Sequence, residues 1–89
     1  MTNALSLSWW VYILECADGT YYIGVSNNLE KRIKTHNAGK GAKYTKVRLP
    51  VRLLYSEKSE SHSSALKREF VLKKLTRPQK NKLIHEPDT

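Results

Sequence analysis

The chain has few of the residues that cross-link or anchor small proteins. Its single cysteine, Cys16, excludes an intramolecular disulfide and argues for a reducing compartment. The apolar run at residues 9–14 is too short for a signal sequence or a membrane span, and no basic residue precedes it. We therefore expect a cytoplasmic protein with no membrane partner.

The length of the chain limits the number of domains. A chain of 89 residues is too short for two independent cores, so we predict one domain over residues 9–84. Residues 1–8 are interpreted as a flexible leader and residues 85–89 as a tail. The cysteine and the three histidines lack zinc-finger spacing, which argues against a structural zinc site.

Acidic residues are scarce. There are 8 of them against 16 lysines and arginines, which leaves a formal charge of +8. Residues 31–56 contain eight basic residues and no acidic one, and residues 67–82 contain seven basic residues with Glu69 as the only acid. Such blocks favour a polyanionic partner, because lysine and arginine contacts to phosphates release counterions. The alternative is a solvated basic surface that keeps a small protein soluble.

The pattern of apolar and turn residues predicts the element order β-β-α-β-α-α. Strands are expected at residues 10–16, 20–25 and 51–56. A first helix would be capped by Asn27, with Glu30 closing a capping box, and would end before a basic, glycine-containing loop at 39–45. Two further helices follow, one ending near residue 75 and one capped by Thr76. The fold class is therefore α+β, with a small three-stranded antiparallel sheet flanked by helices.

The loop between the first two strands decides whether two tyrosines can act together. A two-residue turn, Asp18-Gly19, would put Tyr12 and Tyr22 on opposite faces of the hairpin. A three-residue loop, Ala17-Asp18-Gly19, with its glycine left-handed in a bulge, would put both on one face. We predict the three-residue loop. Gly24 would then leave open space opposite Tyr12.

Several chemically active residue types occur in a specific order along these elements. Tyr12 lies on the first strand, Tyr22-Ile23-Gly24 on the second, Arg32 and His36 on the first helix, and Glu69 on a later helix. In this order they resemble the GIY-YIG nuclease superfamily, and most closely its small stand-alone single-domain members (UPF0213-like).

The resemblance covers residues 10–83. The stretch at 36–45, His-Asn-Ala-Gly-Lys-Gly-Ala-Lys-Tyr-Thr, is typical of the small members. One departure is Trp10, which stands where the first family motif has glycine. This departure bears on the shape of the site's edge more than on its chemistry.

The resemblance implies an enzyme, a DNA endonuclease that hydrolyses phosphodiester bonds with a water activated by Mg²⁺ (or Mn²⁺). Branched or damaged DNA is the candidate substrate. Glu69 would be the metal ligand, and Arg32 would bind the phosphate as charge develops. Tyr12 would be the general base, assisted by His36, and Tyr22 would orient the water or the phosphate. No small-molecule cofactor is expected.

Four basic residues near the predicted loop are candidate contacts to the DNA backbone, against the alternative of plain surface charge: Lys40, Lys43, Lys46 and Arg48. RNA stays open as a competing ligand. Asn81 could supply a further polar group to the site, although a solvated helix position is the simpler interpretation.

Two other functions compete with the nuclease. A non-catalytic nucleic-acid-binding module on the same fold would need the basic surface but no working Glu69. An adaptor for a protein partner would rest on Trp9 and Trp10, if both are exposed.

Overall fold

The structure, a computed structural model, describes residues 8–86, so residues 1–7 of the predicted leader and 87–89 of the tail lie outside it. Three antiparallel strands lie in the order β2-β1-β3: β1 (Trp9–Glu15), β2 (Tyr21–Ser26) and β3 (Arg52–Ser59). Four helices accompany them: α1 (Leu29–Asn37), α2 (Lys43–Lys46), α3 (His62–Lys73) and α4 (Arg77–His85). The predicted α+β fold with a three-stranded antiparallel sheet is confirmed.

The β1–β2 hairpin has the predicted register. Tyr12 pairs with Gly24, and Leu14 pairs with Tyr22. The loop is closed by hydrogen bonds from Cys16 N to Thr20 O (2.8 Å) and from Gly19 N to Cys16 O (2.9 Å), with φ of +84° at the glycine. Only glycine adopts that φ without steric cost, which is why the three-residue loop forms at this position.

Because side chains alternate along β1, this central strand supplies both layers of the core. On one face, Val11 and Ile13 pack with Ile23 of β2 and against α3. On the other face, Tyr12 and Leu14 pack beneath α1 and the segment that leads into β3. The residues that complete this second layer are Cys16, Val51, Tyr22, Leu29, Ile33 and Leu49. The two tyrosines therefore lie on the α1 side of the sheet.

Several predicted boundaries differ from the observed ones. Asn28, not Asn27, caps α1, and its side chain accepts from Lys31 N, so the predicted capping box with Glu30 is wrong. The expected loop at 39–45 contains the start of helix α2, which has no side-chain cap. Strand β3 continues three residues beyond the predicted 56 because it pairs with β1 as far as Trp9. Helix α4 includes His85, one residue past the predicted end of the domain.

Trp9 and Trp10 are half-buried, not exposed. Trp9 stacks on His62 with ring centroids 4.0 Å apart and packs against the α3 side of the core. The feature that suggested a protein adaptor is therefore absent from the described residues. Within those residues, every helix falls short of the length and apolar character that a bilayer crossing requires.

Candidate active site

Tyr12 lies at the bottom of the site and is only 1% exposed. The predicted open space opposite it does not exist, because its own ring lies across Gly24. A Cβ added to that glycine would lie 2.5 Å from Tyr12 Oη and 2.8 Å from Cζ. Glycine at this position therefore admits the tyrosine ring and not a substrate.

The Tyr12 hydroxyl lies against His36 of α1. Tyr12 Oη is 3.1 Å from His36 Nε2, and on the other side of the ring His36 Nδ1 is 2.9 Å from Thr45 Oγ1. Thr45 Oγ1 also donates to Ala42 O at 3.0 Å. Both His36 and Thr45 are completely buried. These contacts form one continuous chain from the tyrosine through the imidazole to a backbone carbonyl.

Burial controls the ionisation of this pair. It raises the pKa of the Tyr12 phenol. Arg32 opposes this increase through hydrogen bonding and through its charge, whereas the charges of Tyr22 and Glu69 add to it. Burial lowers the pKa of His36, and the charge of Arg32 lowers it further. At neutral pH the site therefore holds a protonated phenol beside a neutral imidazole.

Arg32 brings an unpaired donor to the site. Its Nε is buried and has no hydrogen-bond partner within residues 8–86. The side chain lines a surface depression of about 210 Å³ together with Asn28 and Lys31. A buried N–H without a partner costs about 1–3 kcal/mol, and an anionic oxygen would relieve that cost.

Tyr22 is more accessible than Tyr12 and lies between aromatic neighbours. Its ring centroid is 6.5 Å from that of Tyr12 and 5.3 Å from that of His36. Its outer neighbour is Tyr44, at 6.2 Å and nearly parallel. Within residues 8–86 the Tyr22 hydroxyl has no hydrogen bond to protein. It is therefore free to bind a water or a phosphate oxygen.

Glu69 lies on α3, which packs on the face of the sheet opposite Tyr12. Its charge acts on the Tyr12 phenol, and its carboxylate pairs with Lys73 Nζ at 3.1 Å. The neighbouring Arg68 binds Glu57 through Nε at 2.7 Å and so holds α3 against β3. Because Lys73 is largely exposed, the i,i+4 pair contributes only about 0.3–0.5 kcal/mol and is easily replaced.

The donor set suits one kind of metal. Within residues 8–86 no three His, Cys, Asp or Glu side chains come together as a metal cluster. Zinc prefers three or four such ligands. Mg²⁺ is commonly bound by one carboxylate, its own waters and substrate phosphates. Glu69 fits that requirement.

The four candidate DNA-binding residues differ in environment. Lys40, Lys43 and Lys46 are exposed and make no ion pair within the described part of the chain. Arg48 is engaged: its Nε donates to Asp18 Oδ2 at 3.0 Å, and its guanidinium lies 3.9 Å from the Tyr44 ring centroid. Arg48 thus packs on Tyr44, whose ring stacks on Tyr22.

Asn81 is not a solvated helix residue. Its Oδ1 accepts from Tyr21 Oη at 2.5 Å. Tyr21 packs with the α3 side of the core, on the face of the sheet opposite Tyr22. Asn81 therefore ties α4 to β2.

Thr45 and Gly41 are the site residues that we did not assign from the sequence. A Cβ on Gly41 would overlap His36 Nδ1, so the glycine lets this loop close over the imidazole. The available signal was the stretch at 36–45, in which a glycine and a threonine follow the histidine at five and nine residues.

Comparison with known proteins identifies the family of the chain. A family model described as "GIY-YIG catalytic domain" matches residues 8–83. A UPF0213 protein of Bacillus licheniformis is 51% identical over 79 residues, which cover 89% of this chain and 81% of that protein. A UPF0213 protein of Staphylococcus haemolyticus is 53% identical over 77 residues, covering 86% of this chain and 94% of that protein.

Two solved structures are also similar to this chain. The solution NMR structure of a UPF0213 protein from Bacillus halodurans has a TM-score of 0.56 at 42% identity and covers 88% of this chain and 83% of that one. An E. faecalis protein, also solved by NMR, has a TM-score of 0.58 at 40% identity, with 85% and 82% covered. With its sheet, its paired tyrosines and these relatives, the chain belongs to the GIY-YIG family, among its small UPF0213 members.

Proposed function

We propose that the protein is a DNA endonuclease that depends on a divalent metal and hydrolyses phosphodiester bonds. The observation that carries the proposal is the 3.1 Å contact between Tyr12 Oη and His36 Nε2, because it joins a buried phenol to a neutral base. Family membership supports a nucleic acid as the substrate class. The charge of +8 supports a polyanionic ligand.

Tyr12 acts as a proton relay in this proposal. Because burial keeps it protonated, it can accept a proton from water only while its own hydrogen passes to His36 Nε2. The water oxygen bonds to phosphorus, the bond from phosphorus to the leaving oxygen breaks with its electron pair, and that oxygen takes a proton from solvent. The imidazolium of His36 then releases its extra proton to solvent.

Arg32 and Tyr22 bind the reacting groups. The unpaired Nε–H of Arg32 would donate to a phosphate oxygen, where negative charge grows during attack. The free hydroxyl of Tyr22 would hold the attacking water or a second phosphate oxygen. Both assignments follow from donors that lack a protein partner within residues 8–86.

Glu69 would hold the metal. A bound Mg²⁺ or Mn²⁺ would offset charge on the phosphoryl oxygens and acidify the attacking water. Glu69 must exchange Lys73 for the cation, which costs little because the lysine is exposed. Lys73 is then free to face the DNA backbone.

DNA-backbone contacts are proposed for Lys40, Lys43 and Lys46, which are exposed and unpaired within the described residues. Arg48 contributes mainly through Tyr44 and Asp18. The non-catalytic binding module is not favoured, because a binder has no need of a buried tyrosine–histidine pair.

Cleavage of labelled single-stranded, duplex and branched DNA by the native chain and Glu69→Gln tests the proposal. With Mg²⁺ the native chain should cut, and chelator should abolish cutting. The variant should lose activity by at least about 10²-fold, because a bound metal supplies several kcal/mol of charge stabilisation in the transition state. DNA affinity at fixed salt should be unchanged or higher, because an anion near the phosphate is removed.

Glu30→Gln is the matched control. Glu30 is also paired with a lysine four residues later on a helix, at 3.7 Å, so this variant makes the same change in charge and pairing away from the site. It should cleave like the native chain. Equal background cutting by all three proteins, with salt-dependent binding intact, would instead identify a nucleic-acid-binding module.

A further inference from the structure

We infer that Thr45 is a positioning residue that holds His36 as its Nδ1–H tautomer and so presents Nε2 as the acceptor for the proton of Tyr12. The inference deepens the proposed function and rests on it for its catalytic meaning. It depends on three distances: His36 Nδ1 to Thr45 Oγ1, 2.9 Å; Thr45 Oγ1 to Ala42 O, 3.0 Å; and Tyr12 Oη to His36 Nε2, 3.1 Å.

The tautomer follows from counting hydrogens. A threonine hydroxyl has one hydrogen, and here Thr45 donates it to Ala42 O, so its lone pairs accept from His36 Nδ1–H. A neutral imidazole carries one N–H, so Nε2 must then be the acceptor. Tyr12 therefore donates to His36.

The opposite arrangement leaves a buried hydrogen without an acceptor. If Thr45 donated to Nδ1, His36 would donate from Nε2 to Tyr12 Oη. Within residues 8–86 Tyr12 Oη has no other acceptor at hydrogen-bond distance, and Arg32, which also acts on this hydroxyl, can only donate. Since Tyr12 is 1% exposed, bulk water offers little compensation.

The backbone around Thr45 is arranged for this contact. Gly41 leaves room for the imidazole where any Cβ would overlap it. Thr45 lies in α2, whose first turn orients the hydroxyl towards Ala42 O. The hydroxyl thus has a fixed direction before any substrate binds.

The tautomer can be read directly from two-bond ¹H–¹⁵N couplings of the His36 imidazole in DNA-free, metal-free protein at neutral pH. The native chain and Thr45→Ser should both show the Nδ1–H form. Thr45→Val keeps the shape but removes the hydroxyl, so it should shift His36 wholly or partly to the Nε2–H form. An Nε2–H tautomer in the native chain would by itself overturn the inference, whatever the variants show.

Cleavage kinetics supply the second readout. Thr45→Val should lower kcat by about 10²-fold, the low end of general acid–base effects, while KM for DNA stays within about twofold. Thr45→Ser should restore most of kcat. Thr76→Val is the control, because Thr76 Oγ1 also bonds to the backbone, accepting from Gln79 N at 3.3 Å, at the start of α4 and away from His36; it should keep the native kcat.

The two readouts separate the two proposals. If the couplings follow the prediction but no protein cleaves DNA, the nuclease proposal fails and the role of Thr45 in fixing the tautomer stands. If the native chain cleaves and Thr45→Val keeps both the native tautomer and the native kcat, the inference fails and the nuclease proposal stands.

Discussion

At the scale of single residues, the main feature is a histidine that is both fully buried and neutral. His36 has a hydrogen-bond partner on each ring nitrogen, so the fold has no need of its charge. Burial and the charge of Arg32 both lower its pKa below the ordinary value of 6.5. Protonation of His36 therefore opposes folding.

This gives a prediction for stability against pH. Because the pKa of His36 is lower in the folded chain, the unfolded chain binds more protons between that pKa and about 6.5. The contribution of His36 to the free energy of unfolding is complete above this pH window. It is lost as pH falls through the window, by up to about 1.4 kcal/mol per pH unit. Urea unfolding from about pH 8 to about pH 5 should show this decline.

His36→Gln should flatten that decline, whereas His85→Gln, which removes an exposed imidazole, should preserve it. Identical slopes in the native chain and His36→Gln would show that His36 is not the group responsible. The comparison uses slopes, so a constant loss of stability in either variant does not affect it.

A second residue-scale result concerns Gly24. We expected it to open space for a substrate, but Tyr12 fills that space itself. The consequence is chemical as well as steric: a buried tyrosine keeps its proton, so it can serve as a relay and not as a preformed phenolate base. The more accessible hydroxyl belongs to Tyr22.

At the scale of elements, the end of α1 fixes the position of the histidine. Gly39, with φ of +78°, closes the helix through bonds from its own N to His36 O (2.9 Å) and from Lys40 N to Thr35 O (3.1 Å). Asn37 then binds Val51, the residue before β3, donating from Nδ2 to Val51 O (3.0 Å) and accepting from Val51 N (2.7 Å). The residue after the histidine is thus anchored to the sheet layer.

Asn37→Ala should therefore destabilise the chain by about 1–3 kcal/mol, because the Val51 N–H and C=O both lose their side-chain partner. Asn27→Ala is the control: Asn27 is exposed and caps nothing, so the change should fall within about 0.5 kcal/mol. Chemical unfolding monitored by circular dichroism measures both. Equal stabilities would show that the side-chain bridge contributes nothing.

At the scale of the whole molecule, the positive charge is only partly available to a ligand. Arg48, Arg52 and Arg68 are paired with carboxylates, whereas Lys43 and Lys46 on α2 are exposed and unpaired within the described residues. A partner bound at the candidate site would therefore meet free positive charge along α2, next to the loop that covers His36.

The salt dependence of DNA binding tests this location. If Lys43 and Lys46 each contact a phosphate, replacing both by glutamine should reduce the slope of log Kd against log salt by about 1.8 for duplex DNA. Lys58→Gln with Lys82→Gln makes the same change in net charge on β3 and α4. An equal loss of slope in both double variants would mean that charge acts globally and that α2 is not the contact.

Local chemistry explains why some features were predictable. The glycine of the hairpin loop, the alternation of apolar residues along β1 and β2, and the Thr76 cap of α4 depend on neighbours in the chain. The Asn28 cap and helix α2 are not predictable in this way. The free-energy difference between Asn27 and Asn28 as caps, or between loop and helix at residues 43–46, is small locally, so packing decides it.

The sequence alone determined the α+β fold, the hairpin register and the family, because periodicity, turn residues and ordered motifs are properties of short segments. Only the tertiary structure decided that Tyr12 is buried over Gly24, that Trp9 is covered, and that Thr45 meets His36. The physical reason is that burial and hydrogen-bond partnership arise between segments far apart in the chain, and both set the pKa values on which the chemistry depends.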